Sequence, residues 1–339
     1  MQVLLTGAFG NIGAVALAEL VKRGHKVRTF DVPTPANRKL ARAWEGRAEM
    51  VWGDLRQVEE VQGAVQGQEV IVHLAYVIPR LSATGVGSEE RPDWAREVNV
   101  GGTLNLLAAL KALNPGPRLL FASSLHVFGP TQHLPPPRTL SDPVHPLENY
   151  ALHKVACEEM VKAAGGRWAI FRLGAALPTR LILDRGMFDV PLDNRIEFVH
   201  SRDVAVAIAN ALESEAAWGH TWLIGGGPRC QLYYRELVSR VMETVGVGML
   251  PESAFAATPF STDWLDTTAS QKLLGFQRLT LDDYLQDVRR TLGRRRLFVR
   301  VLRPAIRLWL LRHSPYYRHT PAQAGRRSGQ RAGVAPLPG

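Results

Sequence analysis

Through the first half of the chain, short apolar runs alternate with stretches of helical periodicity. Residues 3–6 form a continuous apolar run, residues 11–23 repeat at helical spacing, and residues 26–30 form a second run that ends at Asp31. The same pattern predicts strands at 49–52, 69–74, 118–122 and 168–172, with helices near 58–65, 94–113 and 150–162. A strand that is apolar along its whole length is buried on both faces, and parallel neighbours need a crossover, which the intervening helices supply. The predicted fold class is α/β, a doubly wound parallel sheet of the Rossmann type.

Beyond Gly174 the rhythm becomes irregular. Residues 195–199 read as a strand, 201–212 as an Ala/Val-rich helix, 221–224 as one more sheet strand, and 233–244, 267–274 and 281–291 as helices. Residues 1–174, completed by about 201–224, are expected to form a nucleotide-binding domain. Residues 175–200 and 225–292 are expected to form a smaller C-terminal substrate lobe, and 293–339 a basic tail.

Composition changes this picture little until charge is located. With 339 residues, 46% hydrophobic and 21% charged, the chain can bury a large core. The net charge of +10 belongs to the tail: 13 of the 41 basic residues, all arginines, and no acidic residue follow Asp287. Removing those 13 leaves fewer basic than acidic residues (31), so no nucleic-acid groove is expected in the body. Cys157 and Cys230 are too few for a disulfide framework and lack metal-ligand spacing, which implies a reducing, cytoplasmic setting and no metal site. No secretory signal pattern opens the sequence.

Chemistry enters at the first turn. Gly7, Gly10 and Gly13 lie between the first strand and first helix, with Phe9, Asn11 and Ile12 among them. Glycines there permit a tight turn and let a pyrophosphate approach the free N–H groups that open the helix. Asp31, ending the second strand, suits both hydroxyls of an adenosine ribose and repels a 2′-phosphate, which favours NAD over NADP, although Arg28 and Arg38 are near in sequence. Tyr150 and Lys154, four apart, set a phenol beside an ammonium on one helical turn. Alone the spacing is weak.

In this order, Gly7, Gly10, Gly13, Asp31, Tyr150 and Lys154 resemble the extended short-chain dehydrogenase/reductase superfamily, in particular the NAD-dependent epimerase/dehydratase family. The resemblance spans about residues 1 to 290. It implies that Asp54, in Gly53-Asp54-Leu55, reaches the adenine amino group, and that Leu74 and Ala75, in His73-Leu74-Ala75, pass the cofactor. It further implies that Asn99 is the family's helix Asn and that Ser124, in Ser123-Ser124-Leu125-His126-Val127-Phe128-Gly129, is the active-site serine. Residues 198–205 resemble its late strand-to-helix signature. Each has a plain alternative: Ser124 capping a turn, Asn99 a polar helix residue, Asp54 an N-cap at Leu55. The implied reaction has Tyr150 exchange a proton with a substrate hydroxyl while hydride passes to or from NAD, with Ser124 holding the oxygen and Lys154 lowering the pKa of the phenol.

Leu125 and His126 stand where dehydratases carry an Asp-Glu pair, which disfavours sugar 4,6-dehydration. His126 either faces substrate or packs beneath the loop. Ala175 stands where many sugar-nucleotide members have Asn, and the insertion at 176–195 is short. The favoured substrate class is a sugar nucleotide; the rival is a hydroxysteroid-type, lipophilic alcohol or ketone. A cofactor-binding regulatory protein without turnover is disfavoured by intact Tyr150, Lys154 and Ser124. The loop at 76–93 is long enough to be a lid. In the tail, Arg296, Arg300, Arg303 and Arg307 recur at helical spacing, with Leu297, Phe298, Val301, Leu302, Ile306, Trp309 and Leu310 between them. That pattern suits peripheral contact with an anionic membrane, or packing on the body or on a second subunit of a homodimer. Disorder is expected from Pro321 onward.

Overall fold

The computed structural model describes residues 1–80, 85–179 and 185–317. The segment from Pro321 onward, and parts of the 76–93 and 176–195 segments, lie outside the described residues. The first half alternates as β1 (Gln2–Thr6), α1 (Asn11–Lys22), β2 (Lys26–Asp31), α2 (Pro35–Ala41), β3 (Glu49–Trp52), α3 (Val58–Val65) and β4 (Val70–His73). It continues through α4 (Pro92–Arg96), α5 (Gly102–Lys111), β5 (Arg118–Ser124), α6 (Asn149–Ala163) and β6 (Trp168–Leu173). The remainder holds β7 (Arg195–Glu197), α7 (Ser201–Glu213), β8 (His220–Ile224), β9 (Gln231–Tyr233), α8 (Tyr234–Val245), α9 (Thr268–Leu274), α10 (Leu281–Leu292), α11 (Arg295–Val301) and α12 (Arg303–His313).

Seven strands form one parallel sheet in the order β3-β2-β1-β4-β5-β6-β8. Its strands are apolar throughout because both faces are covered. α1 and α7 close one face over Leu5, Val72 and Phe171, while α3, α5 and α6 close the other over Leu4, Ile71 and Phe121. Each such fully buried side chain contributes about 1.5–3 kcal/mol. A further core lies in the C-terminal lobe, where β7 and β9 pair antiparallel and α8 and α10 pack together over Phe198, Leu237 and Leu285.

Three departures from the sequence pattern have physical causes. The helix expected at 94–113 contains a π turn at Glu97–Gly101 between α4 and α5, which adds a residue to one turn and brings Asn99 inward. Gly102 follows because a Cβ there would stand 2.6 Å from that of Leu55. α2 was not evident in the pattern: it buries only Asn37 and Ala41, so its apolar spacing is faint, and it starts from the Thr34 cap and Pro35 instead. The tail helix is broken at Leu302, with Pro304 in the first turn of α12.

Candidate active site

The chain leaves β1 towards β2 and β3, then returns to lay β4 on the other side of β1. That reversal opens a crevice beyond the carboxyl ends of β1 and β4, where α/β sheets bind ligands. Gly7 lies in it with φ +68°, and a Cβ at Gly7 would come within 2.7 Å of the Ala75 backbone. At Gly13 a Cβ would strike the Gly7 carbonyl, and at Gly10 it would be 3.3 Å from the same oxygen. The loop therefore stays flush with the sheet edge. α1 starts directly behind Gly10 with no side-chain cap, so the N–H groups of Asn11, Ile12 and Gly13 point out of the helix end. Asn11 also ties the loop to the lobe by donating to the Ala176 carbonyl at 3.0 Å.

Asp31 is nearly buried at the end of β2. It accepts from the N–H groups of Phe9 (3.0 Å) and Val32 (2.8 Å) and from the Asn37 amide (3.1 Å). Burial raises its pKa and the backbone donors oppose that. Of the two arginines near it in sequence, Arg28 pairs with Glu49 at 2.8 Å in mid-strand and donates to the Ala64 and Gln66 carbonyls. Arg38 lies over the Trp52 ring, which stacks on Phe9. Asp54 does not cap a helix, since α3 begins only at Val58; its carboxylate forms a two-pronged pair with Arg56, and burial, which raises its pKa, is outweighed by that pair. Leu55 is buried beneath α5, and its carbonyl accepts from Asn105.

Leu74 and Ala75 close the crevice from β4. Both donate their N–H to the Thr6 hydroxyl, at 3.2 and 3.1 Å. That leaves the Thr6 hydrogen for His73 Nδ1 at 2.8 Å, so His73 carries its own hydrogen on Nε2 and donates to Thr103 (3.2 Å), which donates to the Asn99 carbonyl (2.6 Å). Burial, aided by the Lys154 charge, holds the His73 pKa down to about 3. The Asn99 side chain clasps Val77, accepting its N–H at 2.7 Å and donating to its carbonyl at 2.9 Å. Asn99 thus positions the backbone after β4.

Tyr150 and Lys154 project from α6 towards Ser124 at the end of β5. The Ser124 oxygen accepts from the His126 N–H at 3.2 Å, and its hydroxyl is near enough to the Tyr150 phenol to oppose the rise in its pKa. Lys154 is buried, donates to the Ala122 carbonyl at 2.5 Å, and lies 3.3 Å from the centroid of the Tyr76 ring. In the protein alone, burial dominates the pKa of both groups. Burial pushes Tyr150 up to about 12, with the Glu148 charge adding to the shift and the Ser124 hydrogen bond opposing it. Burial likewise pushes Lys154 down to about 7. Desolvation favours the neutral form of each group.

Other neighbours surround the pair, and of these Tyr76, Glu148, Phe260 and Ser261 were not singled out from the sequence. Tyr76, one residue past the His73-Leu74-Ala75 motif, meets Tyr150 edge-on. His126 meets both Tyr150 and Phe260 edge-on, and its Nδ1 lies 3.6 Å from Glu148, which accepts from Ser261 at 2.8 Å. Beneath the site, buried Glu158 binds Arg172 (2.7 and 3.0 Å) and Ser123 (2.6 Å). The 76–93 segment is tied to the catalytic helix: Glu89 accepts the N–H groups of Asn149 (3.2 Å) and Tyr150 (3.0 Å) at its start.

A flush glycine turn, an open helix end and a Tyr/Ser/Lys group are thus gathered around one crevice. The NAD dependent epimerase/dehydratase family model matches residues 3–179, over half of the chain, and the chain belongs to that family. Over 168 residues it is 33% identical to 3-beta-hydroxysteroid dehydrogenase of Mycolicibacterium neoaurum, covering 49% of this chain and 43% of that protein. Over 224 residues it is 27% identical to UDP-glucose 4-epimerase of Corynebacterium glutamicum, covering 66% of this chain and 63% of that one. These matches therefore span less than two thirds of either relative. The fold is shared with a short-chain dehydrogenase/reductase superfamily protein from Agrobacterium tumefaciens, solved with bound NAD, at a TM-score of 0.71 and 21% identity, covering 89% of this chain and 100% of that one.

Proposed function

We propose that this enzyme interconverts a secondary hydroxyl and a carbonyl with NAD, and that its substrate is an uncharged, lipophilic compound of the hydroxysteroid kind. The observation that carries the reaction is the half-buried Tyr150 phenol, one turn from the buried Lys154 and facing the buried Ser124, beside the glycine crevice. The residues fit the cofactor: the flush turn at Gly7 and Gly13 and the open end of α1 suit a pyrophosphate, and Asp31 suits the ribose hydroxyls. NAD, when bound, supplies the hydride acceptor or donor at its nicotinamide C4. Tyr150 takes the hydroxyl proton in oxidation and returns it in reduction, while Ser124 holds the same oxygen in line. Lys154 orients the ribose and, when protonated, favours the phenolate. A cationic ring beside the phenol works in the same direction, against burial.

The substrate class rests on charge. Residues 260–263 carry Phe260 and Ser261 at the site, then Asp263, whose carboxylate pairs with the part-buried guanidinium of Arg195 at 2.6 Å and the buried one of Arg138 at 3.2 Å. Those cations are neutralised within the protein, which suits a neutral substrate better than a diphosphate. A sugar nucleotide is the second reading, supported by the longer match to the Corynebacterium epimerase.

Absorbance at 340 nm with NAD and a panel of 3-hydroxysteroids and UDP-sugars separates the two. NADH formation with the steroids alone is expected. Epimerised UDP-sugar without net NADH would sink the lipophilic reading and keep the hydroxyl/carbonyl chemistry. Tyr150→Phe should cut turnover by about 100-fold or more while still binding NAD; unchanged turnover would refute the proposed role of the phenol.

A further inference from the structure

Residues 295–313 present two unlike faces. The predicted arginine stripe turns inward onto the end of α8. Arg307 donates to the carbonyls of Val247 (3.2 Å), Gly248 (3.1 Å) and Met249 (2.6 Å), and Arg300 and Arg303 lie against Gly246 and Gly248. Guanidiniums at a helix C-terminus complement its dipole. Ile306 and Leu310 pack beneath them into the lobe core.

The opposite face is apolar and open to solvent: Leu297, Phe298, Val301, Leu302, Leu308 and Trp309 are all exposed, Phe298 by 70% and Val301 by 78%. Of the fourteen large apolar side chains exposed among the described residues, seven fall within 297–317. So dense an apolar patch marks a surface that meets a partner.

We propose that this face docks onto an anionic lipid bilayer, with α11 and α12 lying in the plane of the headgroups. Charge complementarity selects the occupant. Exposed Arg294 and Arg295 adjoin the apolar face, and the 13 arginines after Asp287 are accompanied by no acidic residue. A symmetric contact with a second copy would bring two such segments together, whereas an anionic surface attracts them. The chain's own end is a poor cover, since residues 318–339 add four arginines and only Val334 and Leu337 as large aliphatics. Among the described residues no helix is long and apolar enough to cross a membrane, so the contact is interfacial.

The test is co-sedimentation of the full chain with vesicles of phosphatidylcholine alone or mixed with phosphatidylglycerol, at low and high salt. Binding to the anionic vesicles only, weakened by salt, is expected. The triple variant Leu297→Ser, Phe298→Ser, Val301→Ser should lower that binding at least tenfold, with turnover of a soluble substrate unchanged. The double variant Arg294→Ser, Arg295→Ser should weaken it with the apolar face intact. Absence of binding at low salt, equal binding to both vesicles, or indifference to the triple variant overturns the proposal. So does a lipid-free dimer that the triple variant dissociates, because the face then belongs to a second copy.

Discussion

Glu148 precedes Tyr150 by two residues, and its charge adds to burial in raising the pKa of the phenol. Glu148 is itself held below the usual carboxylate range, against desolvation, by the His126 ring beside it at 3.6 Å and by the Ser261 hydrogen bond. Glu148→Gln removes the negative charge and should lower the Tyr150 pKa. The pH profile of oxidation, which rises as the phenol ionises, should then shift to lower pH; an unmoved profile would show that Glu148 has no electrostatic hold on Tyr150. At this scale the sequence was legible where spacing is short. Tyr150 and Lys154, or the three glycines, announce themselves because local geometry fixes their relation. Tyr76 and Phe260 did not, since Tyr76 meets Tyr150, and Phe260 meets His126, only through contacts between segments distant in sequence. Burial, which sequence does not give, dominates the pKa of both Tyr150 and Lys154.

α6 carries more than its catalytic pair. Tyr150, Lys154 and Glu158 recur at four-residue steps on one stripe, so the helix that aims the phenol also plants a buried carboxylate against Arg172 of β6 and Ser123 of β5. Arg172→Met would leave Glu158 buried without its partner and should cost about 3–5 kcal/mol in denaturant unfolding; a loss below about 1 kcal/mol would show that the pair does little to hold α6. Glu158 has a pKa below its ordinary 4.5, against desolvation, chiefly through Arg172. Its stabilising contribution is therefore complete above about 4.5 and lost as pH falls through the folded value. Strands and most helices of the sheet domain were readable from period alone. The π turn was not, because an extra residue in one turn barely alters apolar spacing over twenty positions. Nor was β9, three residues long, whose partner β7 lies far away in sequence.

Across the whole molecule, acid sensitivity is set partly by His73, fully buried where β4 meets the crevice. Its folded pKa is about 3 against an ordinary 6.5, so between those values only the unfolded chain takes up the proton. Stability should fall as pH drops from about 6.5 towards 3, by up to about 5 kcal/mol from this group alone. Thermal unfolding followed across that range should slope accordingly, and a His73→Gln variant should flatten the slope; an equally steep variant would assign the acid response elsewhere. The parallel architecture was readable in the alternation of the first half, whereas the lobe was blurred because its short elements unite only through packing. The inward grip of Arg307, joined by the Ser314 hydroxyl donating to the Ala254 carbonyl, gives the C-terminal helices a second consequence. They close the lobe's hydrophobic interior. Proteolytic clipping near Gly293 would therefore leave a sheet domain intact and a lobe unsealed, so nicked protein should keep its nucleotide crevice while becoming sticky and prone to precipitate.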